Sequence, residues 1–214
     1  MNGAAAMRCN AEAEATRALG LEERRRHARQ LFFGMFLMLA VLLPPMVARA
    51  QATPPTEYQV KAAFLFNFAK FTEWPADSFA NSESPFLVCV LGKDPFGRML
   101  DDTLQGKTIL EHPIVVDRLR DAAGARNCQL VFVGRSEAVR LTAVLEALRG
   151  SSALVVGETD GFARFGGAIE LILEEDRVGF IINPDAAGRA GLRLSSKLLA
   201  LAKIVHDDPG NKKS

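Results

Sequence analysis

The stretch PFLVCVLGKDPFGRMLDDTLQG, residues 85–106, decides the fold class that we expect for this chain of 214 residues. It begins with a short, uninterrupted apolar run that ends in glycine, which is typical of a strand buried on both faces. Asp94 and Pro95 then supply an N-cap and a first helical position, and Gly106 follows the end of an amphipathic segment. The stretch therefore predicts a buried strand that leads directly into a helix.

Further apolar runs on the C-terminal side predict strands at residues 112–119, 128–134 and 151–158. Between the second and the third of these strands, Ser136 is a predicted helix N-cap and Gly150 is a helix stop signal. Strands that alternate with helices favour a parallel sheet, because the connecting helices cross over its faces.

The pattern changes toward the C-terminus. Two strands, at residues 168–173 and 177–182, are separated by only three residues, which predicts an antiparallel hairpin. A last helix is expected to begin at Ser195 or Ser196 and to continue through Val205. We therefore predict a three-layer α/β domain with a mostly parallel mixed sheet, helices on both faces, and an antiparallel hairpin at the C-terminal end of the sheet.

The domain is expected to occupy residues 58–206 as a single unit of ordinary size. Thr56 and Gln59 have the spacing of a capping box at the start of its first helix. Residues 51–57 are a short polar lead-in, and residues 207–214 are a polar tail that we expect to be frayed.

Residues 1–50 have the features of a secretory signal peptide. Four closely spaced arginines precede an uncharged apolar run at residues 31–43, which is too short for a spanning helix, since that needs about 20 residues. Ala48 and Ala50 give the small-x-small pattern of a cleavage site, so we expect cleavage after Ala50. An uncleaved membrane anchor is the alternative. Residues 1–23 make the leader longer than usual, and their four glutamates make its start more acidic, so a translation start downstream of Met1 is also an alternative.

Composition and charge argue against nucleic-acid binding and against disorder. Residues 51–214 carry 19 basic and 21 acidic residues, a formal charge of −2. This balance gives no basic field that could hold a polyanion through the release of counterions. Hydrophobic residues make up 49% of the whole chain, which is more than an intrinsically disordered chain contains.

The sequence lacks the motifs of catalysis and of cofactor binding. The turn GKDPFG, residues 92–97, lies between a strand and a helix but lacks the Lys and the Ser or Thr of a phosphate-binding loop. His112 and His206 are far apart in sequence, and neither has a ligand-like neighbour at helical spacing. We therefore expect no enzyme activity, no cofactor and no metal, which favours a binding or regulatory protein.

The first predicted helix, residues 58–71, is apolar on nearly all sides. Such a helix is either sandwiched inside the domain or has a second face that meets a partner. Phe64, Phe66, Phe68 and Trp74 are the candidate partner-binding residues, because aromatic surface is a common source of binding energy. Burial in the core explains the same residues.

Two cysteines and three arginines are further candidates. Cys89 and Cys128 are the only cysteines after residue 50, and both a disulfide and two buried thiols fit their apolar surroundings. Arg177, Arg189 and Arg193 lie near the predicted hairpin and last helix. They are candidates for binding a carboxylate of a small ligand or partner, and a solvated surface is the alternative.

Five segments, taken together, resemble the YfiR family of secreted bacterial regulators. The resemblance covers essentially the whole chain after residue 50, and it rests on the order and spacing of these segments. The segments are KAAFLFNFAKFTEWP (61–75), FGRML followed by GKTI (96–109), CQLVFVGRSE (128–137), GFARFGGAI (161–169) and AGLRLSSKLLALA (190–202).

The resemblance implies a non-enzymatic periplasmic protein that binds the periplasmic sensing domain of an inner-membrane diguanylate cyclase, represses it, and so lowers cyclic di-GMP signalling. It also implies a homodimer, with no stable membrane insertion after cleavage. Cys89 and Cys128 match positions where the family places a cysteine pair, whereas further cysteines that some relatives carry around the GFARFGGAI segment are absent. Two alternatives are a periplasmic small-molecule-binding sensor for another membrane protein, with its ligand at the carboxyl ends of the parallel strands, and an enzyme with a dispersed site.

Overall fold

A computed structural model of the protein describes residues 56–207, all of which lie in one compact unit. The expected signal peptide at residues 1–50, with its cleavage site after Ala50, lies outside the described residues, as do residues 51–55 and 208–214. Within residues 56–207, no helix combines the length and the apolar character that a membrane crossing requires.

Five α-helices and ten β-strands form the described part of the chain. The helices are α1 (Glu57–Lys70), α2 (Arg98–Leu104), α3 (Leu141–Leu148), α4 (Pro184–Arg189) and α5 (Ser196–Leu199). The strands are β1 (Thr72–Glu73), β2 (Phe86–Leu91), β3 (Thr108–Ile109), β4 (His112–Leu119), β5 (Leu130–Val133), β6 (Leu154–Gly157), β7 (Ile169–Glu174), β8 (Arg177–Ile182), β9 (Arg193–Leu194) and β10 (Lys203–Ile204). Short 3-10 helices lie in the connections at Ala76–Ser78, Gly124–Asn127 and Arg135–Arg140.

Eight strands form one mixed sheet in the order β10-β8-β7-β6-β5-β2-β4-β3. Strand β2 is central to its parallel part, because it pairs in parallel with β4 on one side and with β5 on the other. Strand β6 pairs in parallel with β5, and β7 and β8 form the antiparallel hairpin. Strands β1 and β9 form a separate two-stranded antiparallel ribbon. The predicted fold class is confirmed.

Alternate residues of the central strands belong to two hydrophobic cores. Val88 and Val90 of β2 pack in the core that contains residues of α1 and α2. Cys89 and Leu91 of the same strand pack in the core that contains residues of α3. Because successive side chains of a strand point to opposite faces of its sheet, helices cover both faces, as predicted.

The first helix starts where the sequence predicts. Thr56 Oγ1 accepts a hydrogen bond from the N–H of Gln59, and Gln59 Oε1 accepts one from the N–H of Thr56 at 2.7 Å. This capping box supplies partners for two N–H groups that the helix itself leaves free. The helix ends at Lys70, and the short strand β1 follows, which the sequence did not indicate.

The last helix is shorter than its sequence pattern predicts. Helix α5 ends at Leu199, and the prediction of a helix as far as Val205 is wrong, because Lys203–Ile204 forms β10 and pairs in parallel with β8. The N–H of Val205 also donates to the carbonyl oxygen of Ile182 at 2.9 Å. An open strand edge satisfies main-chain groups as well as a helix does, so tertiary pairing outweighs the local helical pattern here.

Two predicted N-caps have other roles. Asp94 Oδ1 accepts a hydrogen bond from the N–H of Phe96 at 2.7 Å within a turn, and α2 begins only after Gly97, whose φ is +55°. Ser136 Oγ accepts a hydrogen bond from the N–H of Lys93 at 2.8 Å. Ser136 thus ties the loop after β5 to the loop after β2, a contact between segments that are distant in sequence.

The hairpin forms as predicted, but its loop has two residues instead of three. Strand β7 extends to Glu174, and Glu175 and Asp176 have φ values of +48° and +60°. Positive φ at both central residues is the mark of a type I′ turn, whose twist matches that of two antiparallel strands. The strands close on the pair Glu174 and Arg177.

Residues 158–168 connect the parallel strands β6 and β7 without an α-helix. Phe162 is fully buried in this loop, and its ring lies between two glycines. A Cβ atom at Gly157 would lie 2.3 Å from Phe162 Cε2, and one at Gly167 would lie 2.0 Å from Phe162 Cε1. These two glycines let the main chain approach the ring from both sides, which a larger residue would prevent.

Candidate partner-binding surface

Helix α1 packs one face on the sheet and leaves the opposite face exposed. Ala62 and Leu65 are buried, whereas Ala63 on the opposite face is exposed. We call the exposed face of α1 around Ala63 its exposed ridge. Successive residues turn about 100° around a helix, so Phe64 and Phe66 lie on either side of this ridge, and both are half-buried. The helix is therefore not enclosed on all sides, and it offers aromatic surface at two flanks.

Phe68 belongs to the core. Its side chain is 0% exposed, and its ring centroid lies 5.7 Å from that of Phe64 and 5.0 Å from that of Phe180. A side chain with no accessible surface offers nothing to a partner, so the structure assigns Phe68 to the core instead of to the predicted partner-binding surface. The apolar pattern of the helix alone did not separate these two roles.

Phe66 and Trp74 are half-buried and pack against the edge of the core. The Nζ atom of Lys107 lies 4.6 Å from the centroid of the Phe66 ring. The Trp74 ring meets Phe86 edge-on at 5.1 Å, and its Nε1–H donates to the carbonyl oxygen of Ala69 at 3.3 Å. Each ring keeps part of its surface accessible, and partner binding by these two residues stays a prediction.

A groove of about 460 Å³ lies between α1 and the β7–β8 hairpin, and we call it the α1–hairpin groove. Within it, Leu173 is 48% exposed and so offers apolar area to a partner. The groove contains both Phe64 and Arg177, which are separate candidates from the sequence. Its apolar lining residues are Val60, Phe64, Leu173 and Val178, and its charged lining residues are Glu57, Asp176 and Arg177.

The other two candidate arginines have carboxylate partners outside this groove. Arg189, at the end of α4, forms an ion pair with Asp207. Arg193 of β9 lies with its Nε 3.6 Å from Glu73 Oε2 of β1, and both side chains are largely exposed. Arg177 is therefore the candidate arginine that the structure places beside the aromatic helix.

A buried ion cluster joins α1 to the carboxyl end of β6. Lys61 is 1% exposed, and its Nζ lies 2.5 Å from both Glu57 Oε1 and Glu158 Oε2. Glu158 is also buried, and its Oε2 lies 3.4 Å from the hydroxyl of Tyr58 and 3.9 Å from the Nε of Arg135. No sequence motif indicated this cluster as a whole, although the i,i+4 spacing of Glu57 and Lys61 was a signal for part of it.

The charges of this cluster suit a structural role. Burial acts to lower the pKa of the Lys61 ammonium group, but its hydrogen bonds to Glu158 and Glu57 outweigh burial and raise the pKa above its usual value. Burial, together with the negative charge of Glu158, raises the pKa of the Tyr58 hydroxyl. Lys61 is therefore charged and Tyr58 neutral at pH 7, and neither is a nucleophile or a base at that pH.

The sheet reverses the direction of its connections between β2 and β5, since β2 leads to α2 on one face and β5 leads to α3 on the other. Ligands of α/β proteins commonly bind at such a point. In this protein, a Cβ atom at Gly92 would lie 2.4 Å from Ser136 Oγ and 2.6 Å from Glu137 Oε1. The side chains of Ser136 and Glu137 therefore lie directly against the carboxyl end of β2, at this point of the sheet.

A disulfide joins Cys89 and Cys128, whose Cα atoms are 6.1 Å apart. It connects the centre of β2 to the segment just before β5, and both cysteines are buried in the core on the α3 side of the sheet. Among residues 56–207, no three His, Cys, Asp or Glu side chains are grouped so that they could hold a metal ion.

A family model described as YfiR/HmsC-like matches residues 58–203. Two solved structures also match. One, described as a conserved domain protein from Vibrio cholerae O1 biovar El Tor, has a TM-score of 0.49 and 11% sequence identity over 70% of this chain and 60% of its own. The other, a ligand-free open structure of a substrate-binding protein with adhesive properties from Clostridium difficile, has a TM-score of 0.43 and 10% identity over 68% of this chain and 58% of its own. This chain thus spans about 60% of the length of the first structure.

Proposed function

This chain belongs to the YfiR/HmsC-like family, a family of periplasmic regulators without catalytic activity, and from this membership we propose that it represses an inner-membrane diguanylate cyclase. In this proposal the protein binds the periplasmic sensing domain of the cyclase and holds the cytoplasmic catalytic domain inactive. Cyclic di-GMP then stays low. Export through a signal peptide at residues 1–50 and assembly as a homodimer are part of the same proposal.

The α1–hairpin groove is the observation that carries the protein-binding part of the proposal. It presents exposed apolar area at Leu173 and an aromatic ring at Phe64, and charged residues line the same groove. An apolar centre with a polar rim is the usual composition of a protein–protein contact. Phe66 and Trp74 extend this proposed surface to the other flank and to the C-terminal end of α1.

A regulator of this kind acts through differential binding. It shifts the equilibrium of its partner only if it binds the inactive state better than the active state. A preference of about 5.5 kcal/mol changes an active fraction of 99% into one of 1%. A few well-buried apolar and charged contacts provide an energy of this size, so a groove with both kinds of residue is sufficient in principle.

A small ligand at the carboxyl ends of the parallel strands is less well supported, because Ser136 and Glu137 occupy the space above Gly92. A thermal shift of the purified protein with amino acids and nucleotides separates the two roles. A rise in Tm that increases with ligand concentration would favour the small-molecule sensor.

The substitution Leu173→Asp tests the proposed surface in the native bacterium. We expect deletion of the protein to raise cyclic di-GMP, and we expect the L173D variant to fail to restore the low level. Leu173 lies at the end of β7 and is 48% exposed, so the charge removes apolar contact area without entering the core. Cyclic di-GMP is measured by mass spectrometry of cell extracts.

Leu110→Asp is the matched control. Leu110 is also an exposed leucine, at 60%, but it lies in the turn between β3 and β4, away from the groove lining. We expect the L110D variant to restore repression fully. Unchanged cyclic di-GMP after deletion would contradict the proposed function, and full repression by L173D would contradict the proposed surface.

A further inference from the structure

The outer edge of strand β8 is only partly covered in the described part of the chain. Strand β10 pairs with Ile181 and Ile182, at the C-terminal end of β8. The first four residues of β8, 177–180, pair with β7 on their other side and have no strand on this side among residues 56–207. This open edge lies beside the α1–hairpin groove, because Arg177 and Val178 also line that groove.

The geometry of the hairpin determines which main-chain groups face the open edge. In a hairpin with a two-residue loop, the closing residues, Glu174 and Arg177, form a hydrogen-bonded pair. The pattern alternates along the strand, so the main-chain groups of Val178 and Phe180 point away from β7. The parallel pairing of Lys203 with Ile181 uses the carbonyl oxygen of Phe180, so the groups that face the open edge are the N–H and C=O of Val178 and the N–H of Phe180. Ile182 lies two residues after Phe180, so its main-chain groups should also point away from β7. Its carbonyl oxygen does accept a hydrogen bond on that side, from the N–H of Val205 at 2.9 Å.

The other long edge of the sheet, at β4, is blocked by a side chain. The N–H of Ile114 donates to the carbonyl oxygen of Lys107 at 3.3 Å, so alternate residues of β4, including Arg118, also point outward. Asp117 Oδ1 accepts a hydrogen bond from the N–H of Arg118 at 2.8 Å. A charged side chain that occupies an edge N–H hinders pairing with another strand. The chain thus protects this edge and leaves the edge beside the groove open.

Side chains of a strand added to β8 would reach the groove. Phe180 lies in the core on the α1 side, and Val178 packs against that same core. Side chains of paired strands lie side by side on each face, so alternate residues of an added strand would point toward α1. The groove, of about 460 Å³, is large enough for an apolar side chain, which Phe64 and Leu173 would contact.

We propose that the partner binds by strand addition: an extended segment of its periplasmic domain, with apolar residues at alternate positions, pairs with residues 177–180 of β8 and inserts an apolar side chain into the α1–hairpin groove. This inference rests on the proposed function and specifies how the partner is recognised. Main-chain hydrogen bonds would supply affinity, and the groove would select the side chain. Arg177 and Asp176, at the rim, would favour a segment that carries both signs of charge.

The test compares two variants of the full chain, Val178→Pro and Val178→Thr. Proline removes the outward N–H of residue 178 and blocks an incoming strand, but it leaves the hydrogen bonds to β7 in place. Threonine keeps the N–H and the branched shape. The probe is the purified periplasmic domain of the diguanylate cyclase whose activity rises when this protein is deleted. We expect V178P to weaken binding about tenfold or more, and V178T to bind within about threefold of the unmodified protein.

Hydrogen exchange on the unmodified protein tests the same contact without any substitution, and so it decides the case if V178P does not fold. We expect the amides of Val178 and Phe180 to become protected when the cyclase domain is added. Equal binding by V178P and by the unmodified protein would overturn the proposal, as would unchanged exchange at both amides in the complex. Protection that grows with protein concentration without the cyclase domain would identify a second copy as the occupant and would also overturn it.

The same experiment separates this inference from the proposed function. If the unmodified protein binds no cyclase domain, the proposed function fails. If it binds but β8 is unaffected, only the mode of recognition fails, and the rest of the proposed surface is still to be examined by the L173D variant.

Discussion

At the scale of single residues, Lys61 determines how the aromatic helix is attached to the sheet. Its ammonium group is buried between Glu57 of the same helix and Glu158 at the end of β6. Burial of a charge is costly unless the charge is paired and hydrogen-bonded, which this cluster achieves. Because α1 forms one wall of the α1–hairpin groove, the contact also helps to fix the shape of the proposed binding surface.

Replacement of Lys61 with Met is expected to destabilise the protein by about 3–5 kcal/mol, because it leaves Glu158 buried without its main partner. The measurement is urea unfolding followed by the fluorescence of Trp74. Lys203→Met is the matched control, since the Lys203–Glu174 pair is exposed and should contribute less than about 1 kcal/mol. Equal stability of K61M and K203M would contradict the role given to Lys61.

The pH dependence of stability gives a second measurement of the same contact. The pKa of Lys61 in the folded protein is raised above the value of 10.5 for an unperturbed lysine. The stability that this contact contributes is therefore fully present below pH 10.5 and is lost as the pH rises through the folded-state pKa. We expect unfolding midpoints of the unmodified protein to fall above pH 10.5, and those of K61M to lack this part of the decrease.

Phe66→Asp tests whether the partner-binding surface extends across the exposed ridge of α1. Phe66 is half-buried, so we expect a folded protein, with stability lowered by about 1–2 kcal/mol, that no longer restrains its partner. Circular dichroism and cyclic di-GMP levels are the two measurements. Loss of folded protein would assign Phe66 to the core, and full repression by a folded variant would remove it from the proposed surface.

At the scale of elements, the connection between β6 and β7 is held by one aromatic ring instead of a helix. Phe162 is fully buried, and Gly157 and Gly167 lie close against its ring. Close packing of a ring against main chain leaves no room for adjustment, because protein interiors are nearly as dense as organic crystals. Packing against Phe162 therefore sets part of the conformation of this long loop, and the buried carboxylate of Glu170 accepts further hydrogen bonds from the N–H groups of Gly161 (2.9 Å) and Ala163 (3.1 Å).

Gly157→Ala is expected to lower the free energy of unfolding by about 1–3 kcal/mol, because its Cβ would lie 2.3 Å from the buried ring of Phe162. Gly188→Ala in α4 is the control, since its Cβ would meet no atom within 4 Å, and alanine in a helix is favourable by about 0.5–1 kcal/mol. Both are measured by urea unfolding. Similar changes in the two variants would contradict the packing role of Phe162.

At the scale of the whole molecule, the disulfide crosslinks two neighbouring strands of the sheet. Cys89 lies in β2 and Cys128 precedes β5, so the bond closes a loop with a sequence separation of 39 that contains α2 and β4. A crosslink of this length restricts the unfolded chain and so favours the folded state. The bond belongs to the core on the α3 side, on the opposite face of the sheet from α1.

Replacement of both cysteines with alanine is expected to destabilise the protein by about 4 kcal/mol, from the entropy of the closed loop. Urea unfolding of the unmodified protein with and without a strong reductant gives an independent measure, and the reduced protein should approach the double variant. The same unfolding midpoint in oxidising and reducing conditions would show that the bond does not form in the purified protein.

The sequence by itself determined the order and type of most elements. Hydrophobic periodicity and local signals depend only on neighbours in the chain, so they predicted the strand β2, the capping box at Thr56 and the β7–β8 hairpin correctly. The same reasoning placed the helix N-caps at Asp94 and Ser136 wrongly. Asp94 caps a local turn that precedes the helix, and Ser136 binds the N–H of Lys93, a residue distant in sequence.

Only the tertiary structure decided which apolar side chains form the core and which remain accessible. Phe64 and Phe68 are one turn apart on the same helix, yet Phe68 is enclosed while Phe64 lines a groove, because the sheet and hairpin cover one and not the other. The pairing of Lys61 with Glu158 and the strand at Lys203–Ile204 likewise depend on residues far apart in sequence. The chain's local pattern fixes secondary structure, whereas burial and binding surface depend on how distant segments pack.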